Sequence, residues 1–189
     1  LLNEANIGPE DKVLEVGCGA GHILEKIPHG KLTGIDISPV QIERAGARLG
    51  SKAELIKARG EDLPFKNKSF DRIICTEVFE HVLEPELILA EMKRVLKDNG
   101  IISLSVPNEK LIIFTKKILL NCGLRRVLEP KESQWDLASK NNLDEWHIHE
   151  YGLKLIKKQS KKLFKILSVS RIPFFFIPFR YVLKLNKGL

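Results

Sequence analysis

The feature that most constrains this chain is an apolar run that stops abruptly at glycines. Val13-Leu14-Glu15-Val16-Gly17-Cys18-Gly19-Ala20-Gly21 reads as a buried strand, a glycine-rich turn and the start of a helix. Glycines in such a turn let backbone approach a ligand closely, and the helix start behind them offers free N–H donors. The rhythm then repeats. Lys31–Ile37 is a second strand, and Ser38 is an N-cap with Pro39 at the first position of a helix running to about Leu49. Ala53–Lys57 and Phe70–Thr76 are strands three and four, and Ile101–Val106 is a fifth, closed by Pro107. Between the last two, Pro85–Lys97 reads as an amphipathic helix with Leu87, Leu89, Ala90 and Leu96 leaning inward, stopped by Asn99-Gly100. Strands apolar along their length and alternating with helices indicate a parallel sheet covered on both faces. In such a sheet ligands sit at the carboxyl ends of the strands.

The strand ends carry the candidate chemistry. A dinucleotide-type G-x-G-x-x-G would place its third glycine at position 22, where this chain has His22; the third glycine comes one residue early, at Gly21. Asp36 closes the next strand, 19 residues beyond Gly17. A carboxylate there can accept two hydrogen bonds from ribose hydroxyls, a device shared by both adenosine cofactor classes. Glu15 sits inside an apolar strand and needs a partner, since a lone buried carboxylate is costly. A cofactor ammonium or nearby backbone donors would supply one.

Three later segments complete the pattern: Glu61-Asp62-Leu63-Pro64-Phe65 before Ser69-Phe70-Asp71, Glu77-Val78-Phe79-Glu80-His81-Val82 after strand four, and Glu91–Gly100 leading into Ser105-Val106-Pro107-Asn108. Together with the E-V-G-C-G-A-G turn, they closely resemble the class I S-adenosylmethionine (SAM)-dependent methyltransferases. The nearest branch is the one that includes the ubiquinone-pathway O-methyltransferases. The resemblance runs from about Val13 to Asn108, with the motifs in order at family spacing.

That resemblance implies an α/β, Rossmann-like fold with helices on both faces of a seven-stranded, mostly parallel sheet whose last strand is antiparallel. It implies that Glu15 and the backbone of Gly17, Cys18 and Gly19 hold the methionine end of SAM, and that Asp36 binds the ribose hydroxyls. Ile37 would pack on adenine, with Gly60, Glu61 and Asp62 along the adenine edge, and Glu77 and Val78 would line the cofactor floor. One position departs from the family, which often has Asp before the small residue of the third loop. This chain has Arg59 before Gly60, which leaves the adenine amino contact to Glu61 or backbone. The implied cofactor is SAM, with S-adenosylhomocysteine as product. His81 is the candidate catalytic base for an acceptor hydroxyl or protonated amine, or else a helix-start histidine holding its loop. In some look-alikes Glu-x-x-Glu-His with a distant histidine binds Mg²⁺, and Glu77, Glu80, His81 and His147 or His149 fit that spacing. Glu80 capping or pairing is the plainer alternative, and no residue is assigned as a metal ligand.

After Asn108 the rhythm breaks. We expect residues 1–108 to form the SAM-binding core, 109–150 an acceptor-side insertion or lid, and 151–189 a closing helix and antiparallel strand pair (164–172 and 174–185) of the same domain. Trp135, Trp146 and Phe114 could line an apolar acceptor pocket or simply pack a subdomain core. The formal charge of +7 divides unevenly: residues 1–100 hold 14 Lys and Arg against 17 Asp and Glu, and residues 101–189 hold 17 against 7. Much of the excess lies on one face of a helix expected over about 151–163, at Lys154, Lys157, Lys158, Lys161 and Lys162, with Leu153, Ile156 and Leu163 behind them. That face is either a solvated one or a contact for anionic lipid or an anionic acceptor, with exposed Phe174–Phe176 nearby fitting a lipid-linked substrate. No RNA-binding module or aromatic-interleaved basic groove is present, which weighs against nucleic acid.

Cys18, Cys75 and Cys122 are odd in number, widely spaced and without a C-x-x-C, so they form neither a disulfide framework nor a zinc site. Reduced thiols point to the cytoplasm. The chain opens without Met and shows no basic-then-apolar leader. Its most apolar stretch, 172–179, is broken by Pro173 and Pro178 and is too short for the roughly 20 residues of a bilayer span. The expected activity is methyl transfer from SAM, by in-line displacement, to an oxygen of a small-molecule or lipid-like acceptor. The rivals are a SAM-binding scaffold without transfer activity and an NAD- or nucleotide-binding Rossmann enzyme. The early third glycine, the E-D-L-P-F segment and the S-V-P-N strand end weigh against the latter.

Overall fold

The computed structural model describes residues 2–108, 111, 153–174 and 177–188. Trp135, Trp146, Phe114, His147, His149 and, apart from residue 111, the whole stretch 109–150 expected to hold an acceptor lid lie outside the described residues, as do Phe175 and Phe176. The chain opens with a single turn of helix, α1 (Leu2–Ala5), and continues through β1 (Lys12–Val16), α2 (His22–Lys26), β2 (Lys31–Asp36), α3 (Pro39–Leu49), β3 (Ala53–Lys57) and β4 (Phe70–Thr76). Then come α4 (Pro85–Val95), β5 (Leu96–Pro107), α5 (Leu153–Ser160), β6 (Lys165–Phe174) and β7 (Ile177–Asn186).

Seven strands form one sheet in the order β3-β2-β1-β4-β5-β7-β6. The first five are parallel, and β7 runs antiparallel to both β5 and β6. This is the mostly parallel seven-stranded sheet with an antiparallel last strand that the sequence motifs imply. The strand order turns back between β1 and β4. Loops after these strands leave the sheet on opposite faces there, which opens a crevice at the carboxyl edge.

Strand alternation distributes the core to both faces. Val13 and Ile74 join Leu24, Ile27, Ala45 and Leu49 under α2 and α3. Leu14, Val16, Ile73 and Cys75 face the other way, onto Ile88, Leu89, Met92 and Val95 of α4 and Ile156 of α5. Glu15 shares its face with Val13, so its carboxylate is directed beneath α2. The α3 start follows the expected chemistry, with Ser38 Oγ accepting from Gln41 N at 3.4 Å and proline at the first turn.

Three expectations are corrected. The α4 helix stops at Val95, and residues 96–100 belong to β5. Lys68 N and Ser69 N donate to the carbonyls of Arg94 and Val95, and Leu96 pairs with Phe70, so this stretch is drawn into the sheet. A side chain at position 100 would meet Leu96 Cδ1 at 2.5 Å, which explains the glycine there without a helix stop. The buried face of α4 is Pro85, Ile88, Leu89, Met92 and Val95, while Leu87 and Ala90 are exposed. The spacing of 85, 88, 89, 92 and 95 is the true helical stripe. Finally, the lysine-rich helix is shorter than expected and buries Gln159 and Ser160 beside Ile156. Gln159 Nε2 donates to Glu86 Oε1 at 2.6 Å, tying α5 to α4 through a polar contact. No helix among the described residues is long and apolar enough to cross a membrane.

Candidate functional site

The carboxyl ends of β1, β2, β3 and β4 frame a cleft of about 890 Å³. This is near the upper end of the ~300–1,000 Å³ typical of ligand pockets, enough for a nucleoside-sized cofactor and a small acceptor together. Of the residues singled out from sequence, Gly17, Gly19, Asp36, Ile37, Gly60, Glu61, Glu77, Val78 and His81 line it. Glu15, Cys18 and Asp62 are not among the lining residues.

The glycine turn is built to be both tight and open. Gly17, Gly19 and Gly21 all have positive φ, at 72°, 50° and 79°, a region that favours glycine. A side chain on Gly17 would collide with Val78 Cγ2, so the loop after β4 closes directly onto the turn. A side chain on Gly19 would meet nothing within 4 Å; its backbone faces open cleft. Gly19 N donates to Asp36 Oδ2 at 2.8 Å, and Ser38 N donates to Asp36 Oδ1 at 2.9 Å. Two backbone amides thus fix the Asp36 carboxylate, and each of its oxygens keeps a lone pair for a further donor.

Behind the turn, Glu15 is 1% exposed and its Oε2 has no hydrogen-bond partner. Burial pushes its carboxyl up to about 8, with the Leu24 backbone N–H lowering it and Asp36 raising it further. Cys18 contributes backbone: its N–H donates to the Ile35 carbonyl at 2.8 Å and its sulfur is buried against Gly34. Burial, then Glu15 and Asp36, push this thiol up to about 12, so it stays protonated and is not a nucleophile.

Glu77 departs from ordinary backbone, at φ 53°, and its carboxylate pairs with Arg180 of β7 at 2.5 Å. The ion pair links the closing strands to the cleft. Glu80 is buried at 2% exposure, whereas His81 is exposed and ends the short 3₁₀ turn Phe79–His81. Glu77, Glu80 and His81 are therefore held in different environments. Among the described residues no group of three His, Cys, Asp or Glu side chains could hold a metal. In the third loop Arg59 pairs with Glu61 at 3.5 Å, and Asp62 bridges back to Arg59 through backbone. The departure at Arg59 thus places a cation beside the carboxylate expected to face adenine.

Sequence reasoning passed over Ser38, Gln41, Val82, Leu83, Glu84 and Ile88, which also line the cleft. Ser38 was legible as a cap but not as a wall, because the cap geometry and the cleft share one turn. Leu83 is 72% exposed at the rim and Leu87, four residues on, is 45% exposed. This leaves an apolar edge facing solvent beside His81.

The residues lining the cleft fit a nucleoside cofactor: Gly19 leaves open space at the turn and Asp36 presents fixed acceptors, while Glu15, outside the lining, keeps a buried carboxylate oxygen without a hydrogen-bond partner behind the turn. Residues 14–104 match the family model described as a methyltransferase domain. The chain is 35% identical over 131 residues to a ubiquinone biosynthesis O-methyltransferase of Pasteurella multocida, covering 59% of this chain and 52% of that protein. It is 38% identical over 125 residues to a demethylmenaquinone methyltransferase of Thermotoga maritima, covering 62% and 52%. The chain thus spans about half the length of these curated relatives. Among solved structures, a SAM-dependent methyltransferase of Methanosarcina mazei superposes with a TM-score of 0.71 at 21% identity, covering 100% of this chain and 97% of that one. That likeness speaks to the fold.

Proposed function

We propose, from the match of residues 14–104 to the methyltransferase-domain family model, that the protein is a SAM-dependent methyltransferase acting at an oxygen of a small, apolar, quinone-type or lipid-like acceptor. The observation that carries the cofactor reading is the lacing of Gly19 to Asp36 at the open end of the glycine turn. When bound, SAM supplies a methyl group on a sulfonium, already a strong electrophile. The chain's own task is to align a nucleophile and exclude water.

In this reading Asp36 accepts from the ribose hydroxyls through the lone pairs its backbone contacts leave free. Ile37, 58% exposed on the cleft, packs on adenine, and Gly60, Glu61 and Asp62 run along the adenine edge. The backbone of Gly17, Cys18 and Gly19 passes close to the methionine end, and Glu15 supports it from beneath α2. Glu77 and Val78 form the floor. His81 takes the proton of an acceptor hydroxyl, a role its exposure at the cleft permits. The apolar edge of Val82, Leu83 and Leu87 supports an apolar acceptor, and the relatives named for ubiquinone and menaquinone methylation suggest a quinone-type ring.

We also propose that the lysine surface contacts anionic lipid headgroups. Lys154, Lys158, Lys161 and Lys162 are all exposed around α5, and an enzyme with a lipid-like acceptor gains by residing at the membrane surface. A screen with radiolabelled SAM tests the activity. Label should move to phenolic or lipid-like acceptors, with His81→Ala lowering turnover ~10²-fold or more. Label moving only to protein or nucleic acid would overturn the acceptor class.

A further inference from the structure

The turn after β4 bends where a side chain is seldom tolerated. Glu77 has φ 53°, a left-handed conformation that residues other than glycine rarely adopt. Among the described residues, only Asn6 and Lys68 share a positive φ without being glycine, and neither lines the cleft. Such conformations persist where the surroundings over-determine them. Two contacts do so here. On one side, Val78 closes onto Gly17, where any side chain would collide with it. On the other, Arg180 Nη2 lies 2.5 Å from Glu77 Oε1. Arg180 stands opposite Pro107 in the β5–β7 pairing, and β5 lies between β4 and β7 in the sheet. The guanidinium therefore reaches past the carboxyl end of β5 to the turn after β4.

Glu77 and Val78 line the cleft, whereas Arg180 is not among the lining residues. With the Arg180 and Glu77 side chains 46% and 41% exposed, the ion pair adds little to overall stability. Its effect is local: it favours one conformation of a turn that would otherwise relax. We propose that Arg180 is a positioning residue for cofactor binding, which holds the Glu77 turn in its left-handed conformation against Gly17. This rests on the SAM reading of the cleft. The closing strands thereby set affinity at the glycine turn without touching the ligand. A site that is formed in only a fraction of molecules binds its ligand more weakly by that fraction, so loosening the turn lowers affinity.

The test is calorimetric titration of S-adenosylhomocysteine into the whole protein, Arg180→Met and Arg180→Lys, with thermal melting of each. Arg180→Met should weaken binding roughly three-fold or more, while its melting temperature stays close to that of the unsubstituted protein. Arg180→Lys keeps the cation and should recover most of the loss. A double-mutant cycle isolates the route. In Glu77→Asn the ion pair is gone and asparagine tolerates left-handed backbone. Adding Arg180→Met to that variant should weaken binding no further, and Glu77→Asn should bind more tightly than Glu77→Ala. Equal affinity of Arg180→Met and the unsubstituted protein overturns the proposal. So does an Arg180→Met loss that persists in full in Glu77→Asn, or a joint fall of melting temperature and affinity in both Arg180 variants, the mark of a purely structural residue. Failure of the unsubstituted protein to bind S-adenosylhomocysteine at all would instead overturn the SAM reading on which it rests.

Discussion

Glu15 gives the most quantitative prediction. Its carboxyl is 1% exposed and is pushed from an ordinary value of 4.5 to about 8, burial being the main cause. Between those pH values the folded protein holds a proton that the unfolded chain releases. Raising pH therefore favours unfolding: stability is fully present below pH 4.5 and is lost progressively as pH rises to about 8. At about 1.4 kcal/mol per pH unit, the loss is roughly 3 kcal/mol by pH 7 and about 5 kcal/mol above pH 8. That is a large share of the roughly 5–15 kcal/mol that keeps a domain folded. Glu15→Gln keeps an acceptor for the Leu24 amide and cannot ionise. Urea unfolding of both proteins at several pH values between 4.5 and 9 isolates the effect, because all other titrating groups are common to both. The stability of Glu15→Gln relative to the unsubstituted protein should climb across that range and level off above pH 8. A difference that does not change with pH would refute the account of a buried, proton-holding Glu15.

Other consequences are equally open to measurement. If Glu15 supports a cationic ligand end, S-adenosylhomocysteine binding should release a proton near pH 7, seen as a dependence of the calorimetric heat on buffer ionisation enthalpy. Asp36→Ala should weaken that binding by about 1–3 kcal/mol in the same titration, from lost charge-assisted hydrogen bonds. Arg94 donates to Glu91 and to the carbonyls of Leu63 and Phe65, pinning the third loop to α4. Arg94→Ala should therefore cost about 2–4 kcal/mol in urea unfolding, moderated by partial exposure of the pair. Vesicles containing anionic lipid should co-sediment with the protein at low salt and release it at high salt; no binding at low salt would remove the membrane contact.

Much of the cofactor half is legible from local rules. Residues 12–16, 31–36, 53–57 and 70–76 are short runs rich in apolar residues, and each is a strand. Ser38-Pro39 announces α3 because capping acts over three residues. The misses arise where distant chain decides. Residues 96–100 read as helix end because their amides pair with nothing nearby in sequence; the 68–70 segment that captures them is some 26 residues away. The inner face of α4 is hard to read from sequence because Leu87 and Ala90 are apolar yet lie off the stripe of 85, 88, 89, 92 and 95. Within the site, glycine spacing and Asp36 are visible in sequence because they are tied to strand ends. The Glu77–Arg180 pair and the orphaned Gln41 oxygen are not, since each depends on which partner a side chain or amide has already found.

The central claim is that the cleft at the carboxyl ends of β1 and β2 binds SAM. Calorimetry with SAM, S-adenosylhomocysteine and NAD on one preparation tests it most directly. The account predicts saturable binding of SAM and S-adenosylhomocysteine, weakened together in Asp36→Ala, and no saturable binding of NAD. Tight NAD binding without SAM binding would contradict it.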